Sequence, residues 1–176
     1  MKTLNEDRYA SPLGELVILA DDGRLCYLDF ADNARRMEKL LTARYRKFET
    51  RPGAPMPGLR ARLDGYFGGD WSAFDGLDFD TGGSDFQRLV WRGLRAIRPG
   101  ARDTYRRLAA AIGRPRASRA VGAANARNPL SIVIPCHRVT GADGRLRGYA
   151  GGIERQAWLL DHERATPGWR IIDARK

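Results

Sequence analysis

Cysteine and histidine are scarce in this chain, two of each among 176 residues. Cys26 and Cys136 lie 110 positions apart, and no cysteine–histidine spacing of the metal-binding type occurs. No metal is therefore expected. The two cysteines could form a disulfide, but in a reducing cytosol they are expected to stay thiols. Long apolar runs are absent too, and nothing approaches the ~20 residues of a membrane-spanning helix. Met1 to Asp7 is polar and lacks the apolar core of a signal peptide. No membrane association is expected, and the location to expect is cytoplasmic. Lysine is rare, with arginine supplying 27 of the 31 basic residues. Acidic charge is scarce in one half only. Residues 1–80 carry 12 basic and 14 acidic side chains, a net of −2, whereas residues 81–176 carry 19 and 7, a net of +12. Such asymmetry points to a polyanionic partner for the C-terminal half.

Apolar residues make up 43% of the chain, enough for a globular protein with a sizeable core. Residues 8–30 alternate as strands, with turns at Ser11-Pro12-Leu13-Gly14 and Asp21-Asp22-Gly23. Cys26 sits between Leu25 and Tyr27 and reads as a packing residue. Met37, Leu40, Leu41 and Tyr45 give residues 32–47 a helical period. Arg51 to Gly58 reads as a loop, Leu59 to Phe67 as a second helix, and Asp70 to Thr81 as an acidic connector. Gly82-Gly83 coincides with the charge shift, which puts a domain boundary near residue 80.

Beyond it the period is helical. Ser84 can cap a helix with Phe86, Leu89, Val90, Leu94 and Ile97 on one face. Thr104 can cap a short helix, Tyr105 to Ile112. Gly113 stops it, and a further helix runs from Arg116 to Ala126. Two short helices across a tight turn make a helix-turn-helix. The second is almost all small residues, with Arg116 and Arg119 on it. Small residues permit close helix packing, and they also make a helix slim enough for a narrow DNA groove. Arg145 to Gly148 would form one arm of a hairpin or wing, and Ile153 to Glu163 a last helix. The fold class expected is α+β. A small α/β domain with an antiparallel sheet (residues 1–80) precedes a mostly helical winged helix-turn-helix domain (residues 81–166). A tail follows over residues 167–176, with Trp169 and Ile171-Ile172 as apolar docking points.

The apolar run Ile132-Val133-Ile134 reads as a short buried strand ended by Pro135. Cys136 and His137 follow side by side. A thiol becomes a strong nucleophile only as thiolate, so it needs a neighbouring base or positive field. Taken alone, a Cys-His pair is also what a small buried cysteine and a surface histidine would give.

Further stretches share the order and spacing of a known family. They are Phe86-Gln87-x-x-Val90-Trp91, Tyr105-x-x-Leu108-Ala109, Arg119-Ala120-Val121-Gly122-x-Ala124, Asn128-Pro129, Ile134-Pro135-Cys136-His137-Arg138-Val139, Gly148-Tyr149-x-Gly151-Gly152 and Leu159-Leu160-x-x-Glu163. In them residues 81–163 resemble the catalytic domain of O6-alkylguanine-DNA alkyltransferases, the methylated-DNA–protein-cysteine methyltransferases. The N-terminal half resembles the bacterial constitutive form more weakly, at Ser11 to Gly14 and Tyr66-Phe67.

The resemblance implies irreversible transfer of an alkyl group from guanine O6, flipped out of double-stranded DNA, to Cys136. A guanine inside the stack can be reached only by flipping. His137 would act as base through a water and Glu163 would orient it. Tyr105 would donate to the leaving guanine, and Asn128 would order the turn presenting the cysteine. Tyr149, Val139 and Ala150 would line the substrate pocket. Arg119 would take the place of the flipped base, with Arg116, Ala120 and Thr104 also on the DNA. O4-alkylthymine would be a second possible substrate. No cofactor is implied, since the protein is itself the second substrate. A monomer in solution is expected, with assembly of several copies on DNA left open. Some relatives hold a structural zinc in the N-terminal domain, but only Cys26 and no histidine stands there.

Two departures stand out. Arg98-Pro99-Gly100-Ala101-Arg102-Asp103-Thr104 replaces the family's usual Pro-x-Gly-Glu-Thr-x-Ser, and Gln156 stands where many members carry lysine, which implies slower or differently tuned transfer. Two other functions remain open. One is a winged-helix sensor that binds alkylated bases without transfer, although relatives of that kind replace the cysteine. The other is a Cys–His hydrolase, which leaves the charge asymmetry and the helix pair unexplained.

Overall fold

The computed structural model of the chain describes residues 1–53 and 56–165, so the tail over 167–176 lies outside the described residues. Strands β1 (Lys2–Ser11), β2 (Gly14–Asp21) and β3 (Arg24–Phe30) form an antiparallel meander. Helix α1 (Ala34–Tyr45) then returns the chain to β4 (Phe48–Pro52), which adds in parallel to β1, giving the order β3-β2-β1-β4. The parallel fourth strand departs from the sequence expectation, which places Arg51 and Pro52 in a loop. Its four exposed positions leave almost no apolar alternation to read.

Strand β2 explains why the sheet sits where it does. Its run Leu16-Val17-Ile18-Leu19-Ala20 is buried without a break, as a strand covered on both faces must be. Val17 and Leu19 join Leu4, Cys26, Tyr27 and Leu41 under α1. Leu16 and Ile18 face the larger core. There they meet Leu59, Leu63 and Tyr66 of α2 (Leu59–Phe67), and also Val90, Trp91 and Leu94 of α3 (Asp85–Arg95). The larger core thus runs continuously from the sheet into the helical half. Each fully buried leucine contributes about 1.5–3 kcal/mol.

Helix α3 starts at Ser84 with a complete capping box: Ser84 Oγ accepts from Gln87 N, and Gln87 Oε1 accepts from Ser84 N. Helix α4 (Tyr105–Ala111) packs across it at Gly93, where a Cβ would lie 2.7 Å from Ile112 and 2.9 Å from Leu108. Helix α5 (Ser118–Ala126) completes the helix-turn-helix. Two-residue strands β5 (Asp103–Thr104) and β6 (Val139–Thr140) pair in parallel. The hairpin arm expected at Arg145–Gly148 has no regular secondary structure; it follows a turn at 142–143, and Gly141 N donates to Arg145 O. The glycines at 144 and 148, both at positive φ, bend the chain there and leave no extended run to pair. Helix α6 (Ile153–Ala165) closes the fold. Among the described residues no helix is long and apolar enough to cross a membrane.

Candidate active site

The thiol is presented by a tight turn. Asn128 is fully buried, and its amide donates to Ile134 O at 2.8 Å while its oxygen accepts from Leu130 N at 2.9 Å. Ser131 Oγ donates to Asp29 Oδ1 at 2.9 Å, tying the turn to β3. The strand expected at Ile132–Ile134 is therefore a turn. The three residues are buried, but a short apolar run reports burial rather than backbone form. Ile132 has φ +73°, an outlier for a β-branched residue that persists only where its surroundings over-determine it. Arg36 of α1 adds a clamp from the N-terminal half, with Asp29 at 2.6 Å and the carbonyls of Ala126 and Asn128 at 2.9 and 2.7 Å. The sign of this clamp was a carboxylate inside an apolar strand, since a buried charge needs a partner.

Pro135 leads into a 3-10 turn, Cys136–Arg138, in which all three side chains are buried. His137 Nε2 donates to Glu163 Oε1 at 2.7 Å, and both side chains are fully buried. Its Nδ1 has no hydrogen-bond partner among the described residues. Arg138 grips the same carboxylate with two bonds, Nε to Oε2 at 3.0 Å and Nη2 to Oε1 at 2.9 Å. Tyr66 Oη donates to Oε1 at 2.8 Å and Gly100 N to Oε2 at 3.1 Å. Burial alone would push Glu163 up. His137 and Arg138 outweigh it and hold the carboxyl well below the usual range. Burial pushes His137 down, against the pull of Glu163, so its neutral form is favoured. The Cys136 thiol is pushed up to about 11 by burial, with Asn128 and Arg36 opposing. At neutral pH the resting pair is thus thiol and neutral imidazole.

Tyr105 opens α4 directly after its cap, where Thr104 Oγ1 accepts from Arg107 N at 3.2 Å. Burial, then the nearby Cys136, pushes its phenol up. Gly122 of α5 lies against its ring. Tyr149 is buried edge-on to His137, with ring centroids 6.3 Å apart. Gly151 is required beside it, since a Cβ there would stand 2.6 Å from Tyr149 Cε1 and 2.9 Å from Phe30. The Ala150 carbonyl accepts from Asn33 Nδ2 at 3.1 Å. Val139 is buried in β6, and its carbonyl, like that of His137, accepts from the Gln156 amide, at 3.2 and 3.0 Å. Gln156 brings no charge, but it ties down the middle of the cysteine turn and the residue that follows it. The altered loop at 98–104 turns through an Ala101 N to Arg98 O bond and delivers Gly100 N to Glu163. Asn128, Tyr105 and Tyr149 each bear on the buried Cys136 thiol, His137 and Glu163 are bonded to one another, and Val139 and Ala150 are held by Gln156 and Asn33. Tyr66, Arg138, Asp29 and Arg36 were not singled out as site residues from the sequence.

Helix α5 resolves its two readings by face. Val121, Ala124 and Asn125 are buried, and Ala124 O accepts from Trp91 Nε1 at 2.9 Å. Arg119, Ala120 and Ala123 are exposed. Arg116 is exposed as well, but it lies in the turn before α5, not on the helix, because the helix begins only at Ser118. Neither Arg116 nor Arg119 has an ion-pair partner among the described residues. The free cations and the alanine face stand together, as a surface for phosphates requires.

Residues 6–81 match the family model described as 6-O-methylguanine DNA methyltransferase, ribonuclease-like domain, and residues 85–165 match that of the same enzyme's DNA binding domain. A Salmonella typhimurium methylated-DNA–protein-cysteine methyltransferase is 48% identical over 93% of this chain and 97% of its own length. The chain belongs to this family. A Methanosarcina barkeri member is 41% identical over 89% of this chain and 95% of its own. Among solved structures, Mycobacterium tuberculosis O6-methylguanine methyltransferase superposes with a TM-score of 0.76 at 36% identity, covering 94% of this chain and 96% of that one. OGT of the same organism in complex with DNA superposes at 0.76 with 37% identity, covering 92% of each chain. Family membership accounts for the pairing of a sheet domain with a helix-turn-helix domain.

Proposed function

We propose that the chain is a single-use DNA alkyltransferase that moves an alkyl group from O6-alkylguanine in duplex DNA to Cys136. One observation carries this reading. The buried thiol is followed in the same turn by an imidazole whose Nε2 is tied to a buried carboxylate and whose Nδ1 has no partner among the described residues. That is the order nucleophile, base, orienter.

The thiol proton passes to His137 Nδ1 through a water. Sulfur attacks the alkyl carbon as the carbon–O6 bond breaks. The bonding electrons go to the guanine, whose ring nitrogen is served by the Tyr105 hydroxyl. Overall the thiol hydrogen replaces the alkyl group on the base, and a thioether replaces the thiol. A thioether is no leaving group, so each molecule acts once. Arg119 fills the space of the flipped base, while Arg116, Ala120 and Thr104 face the backbone. Tyr149, Val139 and Ala150 line the pocket. Asn128 holds the turn. Residues 81–166 carry these steps, with residues 1–80 as the supporting domain. A working thiol needs a reducing compartment, which supports the cytoplasm as its place of action.

Intact-mass measurement after mixing with O6-methylguanine duplex tests this. One methyl group per molecule is expected, lost in Cys136→Ala and absent with unmodified duplex. Lesion clearance by Cys136→Ala would overturn it.

A further inference from the structure

Tyr66 sits in α2, in the half of the chain that the proposed chemistry leaves unused. Its side chain is 2% exposed, and its hydroxyl donates to Glu163 Oε1 at 2.8 Å. The same oxygen takes His137 Nε2 at 2.7 Å and Arg138 Nη2 at 2.9 Å. We propose that Tyr66 is a positioning residue for alkyl transfer, by which the N-terminal domain fixes the Glu163 carboxylate and limits how tightly it holds a proton on His137. This rests on the alkyltransferase reading above.

A carboxylate offers about four lone-pair sites. Glu163 accepts five donations, three of them at Oε1. Every donor to the charged form lowers its basicity. His137 therefore faces an anion that orients it while drawing it less strongly toward the protonated state than a carboxylate with fewer donors would. A base must be neutral before it can take the thiol proton, so this restraint bears on rate directly.

The aim of the hydroxyl is set by packing. Phe74 stacks on the Tyr66 ring at 5.4 Å, while Phe67 and Trp71 meet it edge-on at 5.3 and 5.6 Å. His162 of α6, the residue before Glu163, bonds Tyr66 O through Nε2 at 3.0 Å. Helices α2 and α6 are thus joined beside the relay. A tyrosine present only for packing would also seek a partner for its hydroxyl. That alternative predicts a loss of stability and nothing else.

The test is single-turnover methyl uptake, read by intact mass against pH, in the full chain. Tyr66→Phe keeps the ring and removes the donor. It is expected to react about tenfold more slowly, the scale of one lost hydrogen bond to a charged group. The acid limb of its profile should move up by about half a pH unit, because the relieved carboxylate holds the His137 proton more tightly. Leu41→Ala opens the separate core under α1, away from Tyr66 and Glu163, so it should lower Tm and leave the profile in place. Fluorotyrosine at position 66 makes a stronger donor and should move the limb the other way. It also serves if Tyr66→Phe fails to fold. A Tyr66→Phe profile with unchanged shape and position overturns the proposal while leaving alkyl transfer intact. An unsubstituted chain that takes up no methyl group removes the underlying reading, and that result needs no variant.

Discussion

Cys26 and Cys136 are both buried, at 1% and 4% exposure, and burial pushes both thiols up to about 11. Their surroundings differ in everything else. Cys26 lies mid-strand among Leu4, Val17, Leu19 and Tyr27, and its thiol donates to Leu19 O at 3.3 Å. Tyr45 and Arg44 oppose the effect of burial on it, Asp21 and Asp80 add to that effect, and no imidazole is among the groups that act on it. Cys136 lies on a turn pinned by Asn128, next to an imidazole held by a buried carboxylate. Burial and the direction of a pKa shift therefore do not pick out a nucleophile. The base beside it and the group that orients that base do.

The sharpest way to break this comparison is to remove the base. His137→Gln is expected to slow methyl uptake by roughly 10²–10⁴-fold, the usual contribution of a positioned acid–base group. Cys26→Ala should react at the unsubstituted rate in the same mass assay. Equal losses in the two variants would show that Cys136 owes its reactivity to something other than His137.

A smaller effect is expected from squeezing one set of surroundings. Gly151→Ala forces a Cβ against Tyr149 and Phe30, which overpacks the site by about 1–3 kcal/mol. Melting should show that loss, and uptake from a benzylated guanine should fall further than uptake from a methylated one.

The mildest contrast is in stability against pH. Both thiols are raised from an ordinary 9.0, so each contributes stability that is complete below pH 9 and is lost as pH climbs through about 11. Cys26→Ala and Cys136→Ala should flatten that alkaline loss alike, because burial is the one thing the two sites share. The acid side should separate them. His137 and Glu163 are both depressed, so their stability is present above their ordinary values of 6.5 and 4.5 and is lost as pH falls below them. His137→Gln and Glu163→Gln should flatten the acid limb in urea titrations, whereas Cys26→Ala should leave it unchanged.

The candidate site was legible through a resemblance, because a spaced series of residues along one half of the chain matches the motifs of a known family. Asn128, Cys136, His137, Tyr149 and Glu163 were all named from that half alone. Tyr66 and Arg36 were not, because their partners lie 97 and 92 positions away and no local period encodes such a contact. The fold was legible where an apolar run between turn signals or a helix cap was strong, as in β2 and at Ser84. It was not legible in β4, which is short and mostly exposed, nor in Ile132–Ile134, where burial imitates a strand.

The turn that presents Cys136 also lies along the outer edge of β3. Leu28 N donates to Pro129 O at 2.9 Å, and Ser131 N donates to Leu28 O at 2.8 Å. Phe79 bridges the same strand at Leu25, and Asp80 N donates to Leu25 O at 2.8 Å. The sheet therefore presents little unpaired backbone on that side, while Pro52 blunts the opposite edge at the end of β4. A change that loosens the cysteine turn would uncover a strand edge able to recruit another chain. Variants at Asn128 or Ser131 should accordingly be judged first by solubility, since aggregation would remove them from solution before any assay of repair could read them.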